Sequence, residues 1–91
     1  MQTKLTHGFL KDLNTLPKPI KKRILEIVSD CENTESVNDI QNRKALYAKQ
    51  NRDFFRIRVG DYRVGVQVLD NVLVFEKIRP RGDFYKVYPP K

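Results

Sequence analysis

The spacing of apolar positions along the chain changes once, near Asp53, from a helical period to a period of two. Ahead of that point Phe9, Leu10, Leu13 and Leu16 fit one face of a helix, with Thr6 placed to cap it and Pro17 to end it. After the stiff LPKP, Ile20, Ile24, Ile27, Val28 and Cys31 form one stripe of a second amphipathic helix. Its other face, with Lys18, Lys21, Lys22 and Arg23, reads as solvated surface. Gln2 to Leu5 reads as a short strand. The polar stretch CENTESVNDIQNRKALYAKQNRD has no strong period and reads as a connecting loop with one turn of helix, pinned to the core by Leu46 and Tyr47.

Beyond Asp53, FFRIRV, YRVGVQVL and VLVFEKI are three strands joined by Gly60-Asp61 and Asp70-Asn71, both suited to two-residue hairpin loops. DFYKVYP reads as a last extended piece, with Pro89 and Pro90 blocking further pairing. If Gly60 and Asp61 are the whole loop, Val59 faces Tyr62, Arg58 faces Arg63, Ile57 faces Val64, Arg56 faces Gly65 and Phe54 faces Gln67. One face then carries Phe55, Ile57, Val59, Tyr62, Val64, Val66 and Val68, and the other Phe54, Arg56, Arg58, Arg63 and Gln67. The expected fold is α+β: one domain, residues 1–91, with two N-terminal helices packed on one face of a small antiparallel β-sheet and the arginine face left open.

Like charges directly across an antiparallel pair cost about 0.2–1 kcal/mol, so folding alone does not explain Arg58 opposite Arg63. An anion held by both explains it, whereas the plain alternative is exposed arginines splayed into water. Gly65 is expected to leave space above Arg56, and an exposed Arg63 would tolerate replacement by Ala within about 0.5 kcal/mol. Arg79 and Arg81 flank Pro80, with Tyr85 four residues after Arg81, so the tail brings guanidinium and phenol groups toward the same face. Arginines interleaved with aromatics hold phosphates while bases stack. The chain as a whole carries 18 Lys and Arg against 11 Asp and Glu, a net charge of +7. Anionic partners follow, nucleic acid first and an acidic protein second.

One cysteine, Cys31, and one histidine, His7, exclude an internal disulfide and a Cys/His metal cluster, and there is no phosphate-binding glycine loop. No metal site and no cofactor are expected. No apolar run is long enough for a signal peptide or a membrane span, so a reducing cytoplasm is the expected location.

The order strand, two helices, meander, together with FFRIRVGDYRVGV and the tail IRPRGDFYK, resembles the RelE/ParE superfamily of type II toxins over nearly the whole chain. The resemblance implies a RelE-like toxin fold, a cognate antitoxin as partner, and ribosome-dependent endonuclease action on mRNA. It implies a catalytic set of Arg63, Arg81 and Tyr85, with Arg56 and Arg58 binding RNA; Arg79, which the family motif does not assign, is expected beside them as a further RNA-binding charge. Many members have a histidine just before the final arginine; Pro80 stands there here. Two other readings remain open on the same fold, a ParE-like inhibitor of DNA gyrase and a nucleic-acid-binding protein without catalysis.

Overall fold

The structure, a computed structural model, describes residues 1–49 and 52–90. Its elements run β1 (Gln2–Leu5), α1 (His7–Asn14), α2 (Lys18–Glu32), a 3-10 turn (Val37–Asp39), β2 (Arg43–Lys49), β3 (Arg52–Val59), β4 (Tyr62–Leu69), β5 (Val72–Pro80) and α3 (Arg81–Val87). The five strands form one sheet in the order β1-β5-β4-β3-β2. All neighbours are antiparallel except β1 and β5, which run parallel, so the sheet is mixed rather than purely antiparallel.

Thr6 caps α1 as the sequence indicates: its Oγ1 accepts the Phe9 N–H at 3.1 Å and donates to the Phe75 carbonyl, tying the helix start to β5. From α1 Phe9 and Leu13, and from α2 Ile24, Val28 and Cys31, are buried against Phe55, Ile57, Val59, Val64 and Val66 of the sheet. Leu10 stays exposed at the edge of the α1 stripe. The hairpin register is the expected one at every pair, including Arg58 opposite Arg63 and Arg56 opposite Gly65. Gly60 at φ +58° makes the first loop, and Asp70 and Asn71, both at positive φ, make the second.

Two segments differ from the sequence reading. Part of the connecting stretch forms β2, an edge strand with a bulge at Leu46 between the pairs Ala45–Phe55 and Tyr47–Phe54. Leu46 is pinned to a small second cluster rather than the main core, and the Tyr47 side chain lies outside the described residues. The tail is helical, not extended: α3 lies on the arginine face and buries Phe84 and the following Tyr88 against Phe54. Part of that face is therefore covered: Phe54 offers an apolar seat, and packing on it stabilises a helix of seven residues that would be marginal alone.

Candidate nucleic-acid interface

Pairing places Arg58, Arg63 and Arg79 in one row across three strands, since Arg63 faces Arg58 on one side and Arg79 on the other. Three like charges in a row are unfavourable, and the row is relieved at its outer end. Beyond Phe75 the edge of β5 has no β1 partner, and Asp12 of α1 fills the gap. Its Oδ2 accepts the Ile78 N–H at 2.9 Å and ion-pairs with Arg79 Nη1 at 2.6 Å, while the same Nη1 donates to the Ile78 carbonyl. The Arg79 guanidinium is thus folded around the sheet edge toward α1, away from the group formed by the other arginines.

Arg63 is buried, at 7% exposure, instead of open to solvent. Its Nη1 donates to the carbonyls of Gly60 at 2.8 Å and Tyr62 at 2.9 Å, so it braces the β3–β4 loop from beneath. Arg56 donates from Nη1 to the Asn42 carbonyl at 2.9 Å, and its Nε is buried with no acceptor among the described residues. Both guanidiniums act on the Tyr85 hydroxyl, which α3 carries over the sheet. The slight burial of the Tyr85 phenol works to raise its pKa, but hydrogen bonding and charge from Arg56 and Arg63 outweigh this and lower it below the ordinary tyrosine value.

Arg58 and Arg81 are exposed, and no side-chain hydrogen bond or ion pair holds either among the described residues. Arg81 begins α3, and its backbone N–H donates to the Asp61 carbonyl at 2.8 Å, which fixes the helix start beside the loop that Arg63 braces. The site is then a phenol beside two guanidiniums that backbone carbonyls hold in place, flanked by two exposed ones. Such a group has the charge and the donors that would suit a phosphodiester, with one titratable oxygen among the cations.

The expected space above Gly65 is occupied. A Cβ on Gly65 would lie 2.7 Å from Tyr88 Cε2, so the ring takes the volume that a side chain would need. The Tyr88 hydroxyl donates to Glu76 Oε1 at 2.8 Å, and burial, followed by that hydrogen bond and the carboxylate charge, raises its pKa well above the ordinary value. Glu76, Tyr88, Asn42 and Asp12 shape the site without having stood out in the sequence. The i, i+4 spacing of Phe84 and Tyr88 is the one signal that points to α3; Asp12 and Asn42 look like ordinary surface residues. Among the described residues no group of three or more His, Cys, Asp or Glu could hold a metal ion, and no helix is long and apolar enough to cross a membrane.

The family model for the ParE toxin of type II toxin-antitoxin systems, parDE, matches residues 3–85. The chain belongs to the RelE/ParE family of type II toxins. This RelE/ParE toxin is 34% identical over 90 residues to Toxin RelE3 of Methanocaldococcus jannaschii, a match that covers 98% of this chain and 100% of that protein. Its fold is that of the toxin in the archaeal RelE-RelB complex from Pyrococcus horikoshii OT3, with a TM-score of 0.76 and 30% identity over 91% of this chain and 97% of that one. The RelB-RelE antitoxin-toxin complex from Methanococcus jannaschii gives the same TM-score of 0.76, with 32% identity over 94% of this chain and 99% of that one.

Proposed function

We propose that this RelE/ParE toxin blocks translation in the cytoplasm by cutting mRNA on the ribosome, without a metal ion. The observation that carries the reading is the convergence of the Arg56 and Arg63 guanidiniums on the Tyr85 phenol. Cleavage proceeds by attack of the RNA 2′-oxygen on the adjacent phosphorus, the 2′-hydroxyl proton passing to solvent water. The bond from phosphorus to the 5′-oxygen breaks, and the 5′-oxygen takes up a proton, leaving a 2′,3′-cyclic phosphate and a 5′-hydroxyl. Arg63 and Arg81 stabilise the charge that builds on the phosphate. Tyr85, made a stronger acid by its two arginine neighbours, supplies the proton to the 5′-oxygen. Arg56 holds the phenol and Arg58 holds the RNA backbone, while Arg79 contributes charge from the sheet edge and no direct contact. With no histidine before Arg81, the site depends mainly on electrostatics and on the ribosome holding the RNA in an attack geometry.

The partner is a cognate antitoxin, because the RelE relatives from Pyrococcus and Methanococcus were solved as complexes with RelB. A chain of net charge +7 calls for an acidic one. Co-purification from the native operon should give a stable complex with no cleavage. Brief induction of the toxin alone, followed by mapping of mRNA ends, should show growth arrest with ends at codon-related positions. A second reading, inhibition of DNA gyrase, is favoured by the match to the ParE toxin family model. Arrest with intact mRNA and a loss of supercoiling activity would establish that reading in place of the first.

A further inference from the structure

Asn42 lies in the turn just before β2, at φ +62°, in the left-handed region that asparagine tolerates and most residues avoid. That conformation turns its carbonyl toward β3, where one oxygen serves two donors. The backbone N–H of Arg58 reaches it at 3.1 Å, and Nη1 of Arg56 at 2.9 Å. The Asn42 side chain is exposed and takes no hydrogen bond among the described residues, so what the residue supplies is the direction of its backbone. Arg56 needs that support. Its Nε has no acceptor among the described residues, and a long side chain held by the Tyr85 phenol alone would keep much of its freedom.

We propose that Asn42 is a positioning residue, whose left-handed backbone presents its carbonyl to Arg56 and so fixes the guanidinium against Tyr85 in the RNA site. The inference rests on the nuclease reading for its effect on cleavage, but not for its effect on Arg56. Residue type at position 42 is then set by backbone conformation and not by side-chain chemistry. Glycine should serve, alanine should serve poorly, and a β-branched residue should serve worst.

The test is an NMR titration of the labelled Tyr85 ring carbon in the full chain, run beside cleavage on programmed ribosomes and a urea melt. The variants are Asn42→Gly, Asn42→Ala and Asn42→Val, with Arg56→Ala as reference. Asn42→Gly should titrate like wild type and cleave within about 3-fold of it. Asn42→Val should move the Tyr85 titration up toward that of Arg56→Ala and slow cleavage by about 10- to 100-fold, the cost of a misplaced group. Should the Val variant not fold, the milder Asn42→Ala carries the test, with a shift in the same direction. A folded Ala or Val variant that titrates as wild type overturns the proposal, as does a Gly variant that behaves like Arg56→Ala. If the titrations follow the expected order while wild type leaves mRNA intact, the positioning role stands and the nuclease reading fails.

Discussion

Tyr88 rests on Gly65, with ring atoms Cε2, Cδ2 and Cζ all within 2.8 Å of where a Cβ would stand. Only glycine at that point of β4 lets the end of α3 settle on the sheet. Gly65→Ala should therefore force the ring away and loosen α3. A loss of about 1–3 kcal/mol in a urea melt is expected, the usual range for overfilling a packed site. A variant that melts like wild type would show that the ring does not seat there.

Arg63→Ala removes two hydrogen bonds to the loop carbonyls of Gly60 and Tyr62, so it should cost about 1–2 kcal/mol. This replaces the near-neutral effect that an exposed arginine would have. Cleavage should fall by at least about 100-fold, as for loss of a donor to a developing oxyanion. Arg63→Lys should recover only part of it, since an ammonium lacks the planar fork. Melts and ribosome-programmed cleavage on the same variants separate the two effects.

Arg58→Ala and Arg81→Ala, by contrast, touch exposed side chains and should leave stability within about 0.5 kcal/mol. Each should weaken RNA binding and reduce the slope of log affinity against log salt by about 1. Filter binding across a salt series measures this. An unchanged slope would remove that arginine from the interface.

The two tyrosines of the tail should pull stability in opposite directions at high pH. Tyr88, raised in the folded state, contributes stability that is complete below the unfolded tyrosine value of about 10 and is lost as pH rises beyond it. Tyr85, lowered, contributes nothing at acid pH, gains as pH rises through its folded value, and is complete above about 10. Half-exposed Tyr85 has the smaller effect because solvent screens its arginines. Urea melts between about pH 8 and about pH 11 should thus show a steep alkaline loss. Tyr88→Phe should flatten that loss and Tyr85→Phe should steepen it.

Asp12 joins the first helix to the last residues of β5 through Ile78 and Arg79. Asp12→Ala leaves the Ile78 N–H without its acceptor and the partly buried Arg79 guanidinium with the Ile78 carbonyl but no counter-charge, and should cost about 1–3 kcal/mol. Asp12→Asn keeps an acceptor for Ile78 but loses the charge, so it should fall between the two in a melt.

The hairpin was legible because its evidence is local. Two-residue loops fix the pairing, and strict alternation from Phe54 to Val68 assigns the faces. The helices were legible from their buried stripes for the same reason. β2 was not, since RKALYAK forms an edge strand with an extra residue at Leu46 that breaks the alternation. α3 was hidden because seven residues gain little from helix propensity, and it forms where Phe84 and Tyr88 meet Phe54. Of the site, the meeting of Arg56, Arg63 and Tyr85 followed from strand order plus the tail. Burial of Arg63 and the turning of Arg79 toward Asp12 depend on partners distant in sequence, which no local pattern announces.

Glu76 is the one residue of β5 without a partner on β4, lying between the pairs Val66–Phe75 and Gly65–Lys77. It works as a change of parity. Before it, odd-numbered residues such as Leu73 and Phe75 point into the core; after it the even-numbered Ile78 does, and the odd-numbered Arg79 joins the row of Arg58 and Arg63. One inserted residue therefore lets a single strand serve the core with its first half and hand its last residues to the arginine row in the right phase. Were Glu76 to take a regular place in the ladder, everything that follows would change sides, sending Lys77 and Arg79 inward and Ile78 out; because the bulge absorbs this one residue, the irregularity of the strand is as much a part of the site as any side chain in it.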